Sequence, residues 1–421
     1  MPELELVTLP NGVRIALDPM PTLHTTAVGV WQRVGARWEK PEENGVAHLF
    51  EHMAFKGAGG RDARQFAEAI EAVGGVMNAA TSYERTSYYA RVLKEDAAYA
   101  LDLIADTLLD PHWAPDDLEK EKGVVAQERG EAFDQPDDRV FELHQQALFP
   151  DQALGRPILG VDETLAPVSV QSLIDFRAAH MAPERVIVSV AGAFDRPAVL
   201  ETITKRFGDL PGRAMIPPAP AKPAAGISIE ERSLEQTHLV LTWAGPAAAD
   251  ETMYAARLMA EIYGGGMSSR LFQEVRETRG LVYAVDAYLD TMEDCGRLGV
   301  YAGCAAKNAK TVALIAADLL MGLAKDGPTA AELQRAKAVA GAQLMMGAEA
   351  PLGRAEARAS QLFLRDRLIP FDEIRAKVDA VTAEQVAAAA ARALNGPVCA
   401  AAIGPKSGLA AASAFHARFA S

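Results

Sequence analysis

A weak internal repeat within its 421 residues most constrains how this chain can fold. Residues 75–79 (GVMNA) match residues 280–284 (GLVYA), and residues 103–105 and 314–316 share the sequence LIA. Residues 118–128 also run parallel to residues 333–343. A chain that repeats in this way predicts two domains of the same fold, and its length is sufficient for two.

Strand and helix patterns are interspersed along the sequence, which predicts an α+β fold. We expect two structurally similar α/β domains, each with a mixed sheet packed against helices. A stiff segment rich in proline and alanine, residues 212–226, is predicted to link an N-terminal domain at 1–211 to a C-terminal domain at 227–421. Strands are predicted at 3–8, 13–17, 25–34, 76–82, 86–93 and 185–192, a hairpin turn at Asn11-Gly12, helices at 62–73, 95–109, 115–131, 139–148, 170–180 and 197–207, and a loop at 150–169.

Residues 45–57 (GVAHLFEHMAFKG) predict a helix that carries His48, Glu51 and His52. Positions four apart share one helix face, so both imidazoles can point at one metal ion. Glu51 lies three residues after His48, and its carboxylate can face a water on that metal. The pattern is the HExxH motif of zinc proteases in reverse order. The alternative is a pair of ordinary core or surface histidines with coincidental spacing.

Two histidines alone leave a zinc site one protein ligand short. The helix predicted from Pro115 carries Glu121 and Glu128, which are seven residues apart and share a face. Glu128 ends a mostly apolar run, and a metal would offset the cost of burying its charge there. The alternative is a solvated glutamate on a charged helix, and residue chemistry alone leaves both possibilities open.

The second half of the repeat lacks these residues. Ala336 and Gln343 stand where the first half has Glu121 and Glu128, and the helix predicted at 254–262 contains no histidine. A repeat that keeps the complete set in only one half favours a real metal site over coincidental spacing.

Composition narrows the choice of partners and compartment. A net charge of -14 argues against nucleic acid and anionic membrane as main partners. The cysteines Cys295, Cys304 and Cys399 are scattered without a CxxC pair, which indicates reduced thiols. No signal peptide is recognisable, and no window approaches the roughly 18 apolar residues of a membrane span. We therefore expect a cytoplasmic protein.

These motifs together resemble the M16 family of zinc peptidases, the inverzincins, which includes pitrilysin, insulin-degrading enzyme and mitochondrial processing peptidase. The resemblance covers almost the whole chain, and its single pair of halves is most similar to the processing-peptidase type and its bacterial relatives. It implies the M16/LuxS-like metallohydrolase fold. It also implies that His48, His52 and Glu128 bind one Zn²⁺ per chain, with Glu51 as general base and Glu121 in contact with a ligand.

The resemblance assigns further residues to substrate. Residues 74–81 are similar to the edge strand beside the family's active site, so Asn78, Ala79 and Ala80 would bind substrate backbone. Arg279 and Tyr283 are similar to the family's C-terminal Arg/Tyr pair, which would hold a substrate carbonyl and stabilise the oxyanion. For Arg279 the alternative is a helix-end cation near Gly280. Gly264, Gly265 and Gly266 resemble a glycine-rich loop of processing peptidases, although a helix C-cap explains them more simply.

The resemblance implies a zinc-dependent endopeptidase that cleaves extended peptides inside a dimeric chamber. A homodimer is expected, with Arg279 and Tyr283 acting in trans on the zinc of the partner chain. The first alternative is an inactive structural subunit, similar to the core proteins of the respiratory bc1 complex. The second is a non-enzymatic partner that needs a separate zinc or Arg/Tyr subunit. The intact His48, Glu51, His52 and Glu128 argue against the first alternative. The presence of both residue sets in one chain argues against the second.

Overall fold

The structure, a computed structural model of the chain, describes residues 3–419. The first two and last two residues, which the predicted halves 1–211 and 227–421 include, lie outside this range. In chain order the strands are β1 (Glu5–Thr8), β2 (Arg14–Pro19), β3 (Thr25–Gln32), β4 (Gly57–Ala58), β5 (Arg61–Asp62), β6 (Val76–Thr81), β7 (Thr86–Leu93), β8 (Val186–Gly192), β9 (Gly226–Glu231), β10 (Gln236–Gly245), β11 (Val282–Thr291), β12 (Gly296–Ala305) and β13 (Cys399–Gly404).

The helices include a short π-helical turn, Gln273–Thr278, that directly follows α10. In chain order the α-helices are α1 (Val46–Met53), α2 (Ala63–Glu71), α3 (Ala97–Leu109), α4 (Pro115–Asp134), α5 (Pro136–Leu148), α6 (Asp162–Leu165), α7 (Val170–His180), α8 (Arg196–Phe207), α9 (Met253–Gly264), α10 (Arg270–Phe272), α11 (Ala306–Asp326), α12 (Ala330–Glu349), α13 (Pro351–Arg365), α14 (Phe371–Asp379), α15 (Ala383–Leu394) and α16 (Lys406–Ala417).

The first large sheet has the strand order β1-β2-β8-β3-β7-β6. Strands β2 and β8 are parallel, and the other neighbouring strands are antiparallel. The predicted hairpin at Asn11-Gly12 is confirmed, since Glu5 pairs with Leu17 and Thr8 with Arg14. A core that includes Leu49 of α1 and Ile104 of α3 lies on one face of this sheet. The predicted strand at 76–82 corresponds to β6, which is the edge strand nearest α1.

The second large sheet has the order β9-β13-β10-β12-β11. Strands β9 and β13 are parallel, and the other neighbours are antiparallel. Apart from β1, this repeats the order and directions of β2-β8-β3-β7-β6. The predicted duplication into two similar domains with mixed sheets is therefore confirmed at the level of topology.

The chain forms two compact units, and each unit consists of three separate segments of the sequence instead of one continuous half. Unit 1 contains residues 3–129, 157–219 and 345–370, and unit 2 contains 130–156, 220–344 and 371–419. The change at residue 219 lies within the predicted 212–226 linker, but α5 belongs to unit 2 and α13 to unit 1. Helix periodicity identifies which face of these helices is apolar, but it does not identify which sheet will cover that face.

Each of these two helices covers the second face of a sheet. In unit 2, Val140 and Leu143 of α5 pack with Val240 and Ile403 of the sheet. In unit 1, residues of α13 pack against the sheet in a separate cluster that includes Trp31 and Ile187. Both sheets are thereby buried on two faces, which explains the continuous burial of β8 and β13.

Two local expectations need correction. Residues 150–169 are not wholly a loop, because they contain a 3₁₀ turn at Ala153–Gly155 and the helix α6. Gly264 ends α9 as predicted, but Gly265 has a φ of -79°, so no left-handed cap requires glycine there. A Cβ on Gly264 would lie 2.4 Å from the Cβ of Ala287, so close packing against β11 is what requires this glycine.

Within residues 3–419, no helix combines the length and apolarity needed to cross a bilayer.

Candidate metal centre

Helix α1 carries the two histidines and Glu51 of the motif. Its buried residues include Val46, Leu49 and Met53, which face the core and leave His48, Glu51 and His52 partly exposed. The helix begins after Gly45, whose φ of +94° is accessible mainly to glycine. A Cβ at Gly45 would also lie 2.7 Å from the Cα of Gly160, so both backbone conformation and space require glycine there.

The buried carboxylate of Glu39 caps the start of α1. Glu39 Oε2 accepts from the backbone N–H of Gly45 at 3.0 Å, and Oε1 accepts from that of Ala47 at 2.7 Å. Glu39 is only 4% exposed. A negative charge is favoured at a helix N-terminus, where backbone N–H groups lack partners within the helix. Glu39 thereby fixes the start of the helix that presents the histidines.

Helix α4 supplies both carboxylates predicted to accompany the histidines. Leu118, Glu121 and Val125 form its buried face, and Glu128 continues that face at its rim. The Glu121 side chain is 8% exposed and that of Glu128 is 40% exposed. Of the two possibilities that the sequence left open, the structure shows a partly exposed Glu128 carboxylate and not a fully buried one. The reason is that Val124 in that run lies 41% exposed on another face of the helix.

His48, His52 and Glu128 come together, and their ligand atoms all lie within 4.8 Å of one another. Glu128 Oε2 is 3.4 Å from His52 Nε2 and 3.9 Å from His48 Nε2. Ligands at about 2.0–2.2 Å from a tetrahedral zinc lie roughly 3.3–3.6 Å from one another. Two imidazoles and one carboxylate are also a donor set of catalytic zinc sites. The three residues therefore fit zinc.

An unpaired carboxylate oxygen of Glu51 at the same place supports this fit. His48 Nδ1 and Glu51 Oε2 are buried and have no hydrogen-bond partner among residues 3–419. Buried polar atoms are normally paired, and unpaired ones are a mark of ligand or catalytic sites. Glu51 is close enough to His52 and Glu128 for their charges to affect its pKa.

Burial sets the protonation preferences of the site. It lowers the pKa of His48 to about 4, with a further contribution from His52, which favours the neutral imidazole that binds metals. Burial also raises the pKa of Glu51. Hydrogen bonds from the hydroxyl and backbone N–H of Thr81 act in the opposite direction on Glu51. Thr81 is the last residue of β6, so these bonds connect the end of the edge strand to the base on α1.

Glu121 contacts His52 and a lysine outside the predicted set. Glu121 Oε2 lies 3.0 Å from His52 Nδ1, and Lys56 Nζ lies 2.7 Å from Glu121 Oε1. An imidazole whose Nδ1–H donates to a carboxylate keeps Nε2 free for a metal. Nε2 is the atom of His52 that faces Glu128.

The predicted substrate-binding residues lie on β6. Asn78 and Ala80 are exposed, whereas Ala79 is only 7% exposed. Asn78 Oδ1 accepts from the backbone N–H of Ala79 at 2.9 Å. The side chain of Asn78 is therefore folded along its own strand, next to the open edge of the sheet.

Arg279 and Tyr283 belong to unit 2. Arg279 Nη2 lies 2.6 Å from Glu274 Oε1, a local ion pair of the kind expected for a helix-end cation. The pairing of β11 with β12 shifts register between Val282 and Ala284, which places Tyr283 in a bulge. Bulges redirect side chains, and Tyr283 is 77% exposed. Its hydroxyl is thus accessible to another molecule.

Sequence patterns did not reveal Glu39, Thr81 or Lys56. A segment with a 3₁₀ turn at Pro41–Glu43 separates Glu39 from α1, and no periodicity across it relates a carboxylate to the helix it caps. Lys56 follows α1 beyond its last turn and meets Glu121 only through tertiary folding. Only its position near the end of the strand predicted at 76–82 could have indicated Thr81.

Comparison with known proteins identifies the family. The family model described as "Insulinase (Peptidase family M16)" matches residues 14–162, and the one described as "Peptidase M16 inactive domain" matches residues 167–339. An uncharacterized zinc protease of Mycobacterium leprae is 36% identical over 410 residues, which cover 94% of this chain and 91% of the relative. This chain belongs to the M16 peptidase family.

Further matches extend over nearly the whole chain. The uncharacterized zinc protease YmxG of Bacillus subtilis is 37% identical over 381 residues, covering 90% of this chain and 93% of the relative. A Helicobacter pylori protease superposes with a TM-score of 0.88 at 21% identity, covering 96% of this chain and all (100%) of the other. A chain of complex III₂ from Candida albicans superposes with a TM-score of 0.86 at 20% identity, covering 99% and 100%. At these identities the two superpositions show a shared fold and nothing about activity.

Proposed function

We propose that this M16 protein is a zinc-dependent endopeptidase that hydrolyses extended peptides or unfolded segments. The observation that carries the proposal is the convergence of His48, His52 and Glu128, with ligand atoms within 4.8 Å, beside the carboxylate of Glu51. The names of the M16 relatives as zinc proteases agree with it.

His48 and His52, through their Nε2 atoms, and the Glu128 carboxylate would hold the metal. Bound zinc supplies Lewis-acid chemistry, lowering the pKa of water and polarising the scissile carbonyl. Glu121 orients His52 through Nδ1, and its burial keeps this contact away from solvent. Because burial favours neutral His48, this imidazole needs no deprotonation before it binds a metal at neutral pH.

Glu51 acts as the general base. Its carboxylate takes a proton from the attacking water and then delivers the proton to the nitrogen of the departing amine. Burial raises the pKa of Glu51, and a base with a pKa closer to the working pH can both accept and return a proton.

Substrate adds as a strand to the free edge of β6. Main-chain hydrogen bonds to an exposed edge provide affinity with little dependence on sequence. Asn78 and Ala80 face solvent on this edge, and Ala79 offers its backbone once the Asn78 side chain turns aside. The contact between Thr81 and Glu51 brings the end of this edge to the general base.

Arg279 and Tyr283 complete the reaction as donors to the substrate. The Tyr283 hydroxyl donates to the oxyanion, and Arg279 releases Glu274 to hold a substrate carbonyl or carboxylate. The accessible position of Tyr283 in its bulge supports this role. We further propose a homodimer in which these residues act on the zinc half of the partner chain, within the cytoplasm.

Glu51→Gln tests the proposal. The variant should retain zinc, because all three ligands remain, and its turnover of a quenched fluorescent peptide should fall at least about 100-fold through loss of the base. Zinc content by elemental analysis and turnover are measured on the same sample. Glu128→Gln is the matched control, since it should lose zinc as well as activity.

Two results would refute this assignment. Near wild-type turnover in Glu51→Gln would exclude Glu51 as the base. A wild-type protein that binds zinc but cleaves no member of a broad peptide library would instead support a structural subunit.

A further inference from the structure

The carboxylate of Glu121 is held at both oxygens although it is almost completely buried. Oε2 lies 3.0 Å from His52 Nδ1, and Oε1 lies 2.7 Å from Lys56 Nζ. The Glu121 side chain is 8% exposed and the Lys56 side chain 30% exposed. A buried carboxylate without a cation would be costly, and the lysine ammonium group offsets that cost.

The position of Lys56 is fixed by the fold. Its backbone N–H donates to the carbonyl of Met53 at 3.2 Å, just beyond the end of α1. A cation is favoured near a helix C-terminus, where carbonyl groups concentrate negative charge. The same short segment therefore carries the second histidine and the cation that reaches the carboxylate bound to it.

The hydrogen-bond chemistry of these three residues allows one arrangement. An ammonium group only donates, so Glu121 Oε1 must accept from Lys56. With one oxygen held in this way, rotation of the carboxylate is restricted and Oε2 stays on His52. His52 then donates through Nδ1 and presents Nε2 on the side of Glu128, 3.4 Å from its Oε2.

We propose that Lys56 is a positioning residue that strengthens zinc binding through Glu121 and His52. The inference rests on the proposed zinc site but not on peptidase activity. A simple charge effect would act in the opposite direction, because a positive group near a metal site repels the cation. Removal of Lys56 should therefore weaken zinc binding if the lysine acts by orienting Glu121, and strengthen zinc binding if it acts only through its charge.

Zinc affinity of the full chain, measured by competition with a chromogenic chelator, tests this inference. Lys56→Met should weaken zinc binding about 10-fold, near the lower end of the effect of groups that orient metal ligands, and Glu121→Gln by about 10–100-fold. The double variant should bind no more weakly than Glu121→Gln alone, because Lys56 acts through that carboxylate. Lys56→Arg keeps a charged donor and should recover most of the affinity.

Lys120→Met is the matched control. Lys120 lies on the same helix as Glu121, but it is 72% exposed and pairs with Asp117 at 3.0 Å. Its loss should leave zinc affinity unchanged. Circular dichroism and thermal unfolding establish that each variant is folded, and Lys56→Arg provides a second comparison if Lys56→Met folds poorly.

Unchanged or tighter zinc binding in Lys56→Met would overturn the inference, as would additive losses in the double variant. In both cases wild-type zinc binding and Glu51-dependent cleavage would still support the proposed function. A wild-type chain that fails to bind zinc would overturn both proposals together.

Discussion

His180 accepts a hydrogen bond from an arginine in unit 1. Arg185 Nη1 lies 2.7 Å from His180 Nδ1, and the guanidinium lies over the ring of Trp38 at 4.3 Å. Because arginine only donates, Nδ1 is an acceptor and the imidazole is neutral. Burial, assisted by the charge of Arg185, lowers the pKa of His180 from 6.5 to about 4. Protonation of this residue therefore favours the unfolded chain.

This contact predicts a loss of stability in mild acid. Between pH 6.5 and about 4, the unfolded chain binds a proton at position 180 that the folded chain does not bind. The contribution of His180 is complete above pH 6.5 and falls as pH decreases, by at most about 1.4 kcal/mol per pH unit. The free energy of unfolding from urea titrations should show a smaller pH slope in His180→Gln than in wild type.

His24→Gln serves as the control for this prediction. His24 is exposed, so its replacement should preserve the wild-type slope. His144 is also buried, and burial lowers its pKa well below the usual range, so part of the slope should persist in His180→Gln. Equal slopes in wild type and His180→Gln would show that position 180 does not contribute.

At the scale of single residues, the sequence predicted the groups that carry a spacing rule. His48, Glu51 and His52 are related by helix geometry, and Glu121 and Glu128 by two turns of one helix. Lys56 has no such rule, because its contact with Glu121 depends on how α1 and α4 pack. The sequence left the burial of Glu128 open for the same reason: an apolar run does not identify the buried face of α4.

At the scale of the element, α1 depends on a cap that comes from outside the helix. Glu39 accepts from the N–H groups of both Gly45 and Ala47, and it also bonds the side chain of Asn44 at 3.2 Å. Asn44 in turn donates to the carbonyl of Pro157 at 2.9 Å. The start of the metal helix is thus held by a buried polar network in which every partner depends on the others.

Glu39→Gln should therefore destabilise the protein, because the amide nitrogen would face a backbone N–H. Loss of a charged acceptor to buried donors typically costs about 1–3 kcal/mol, seen as a lower free energy of unfolding. Zinc affinity should fall as well, since His48 lies in the first turn of α1. Glu43→Gln is the control, because Glu43 pairs with the exposed Lys40 in the same loop and should cost less than about 1 kcal/mol. Equal costs for the two variants would contradict a special role for Glu39.

Many elements of the first half of the sequence were predictable from local pattern, but the assignments of two helices to units were not. Strands β2, β3, β6, β7 and β8 and helices α3, α4, α7 and α8 follow alternation or helical periodicity within a few residues of the observed bounds. Chain order assigned α5 to the N-terminal half and α13 to the C-terminal half. Instead, α5 packs on the sheet of unit 2 and α13 packs on the sheet of unit 1. Which sheet an apolar face covers is a tertiary property.

At the scale of the whole molecule, the two repeats share one fold, but only the first carries the candidate metal residues. Ala336 occupies the position in α12 that corresponds to Glu121 and is 3% exposed. Where no histidine needs an orienting carboxylate, a methyl group fills the buried position without any cation. The conserved sheet order of the two units shows that the fold does not require the metal residues, so their retention in unit 1 favours a chemical role.

The zinc residues and the Arg/Tyr pair lie in different halves of the chain, so the proposed chamber requires an assembly that brings the two sets together. A chain with one zinc half and one Arg/Tyr half can complete a site within itself or with a second copy. We predict the second arrangement, in which Arg279 and Tyr283 of one protomer act on the zinc site of its partner. In a twofold dimer this pairing occurs twice, so each dimer has two equivalent sites.

Co-expression of two differently tagged variants distinguishes these arrangements. Glu51→Gln and Tyr283→Phe should each be inactive and folded as homodimers, which is verified first by turnover and circular dichroism. If donors act in trans, a purified mixed dimer carries both lesions in one site and none in the other, so about half of wild-type activity returns. If they act in cis, each site of the mixed dimer carries one lesion and the dimer is as inactive as either parent. Mixing two differently tagged Glu51→Gln chains controls for effects of the tags and should recover nothing. Verified mixed dimers without recovered activity would exclude the trans arrangement and place Arg279 and Tyr283 with the zinc site of their own chain.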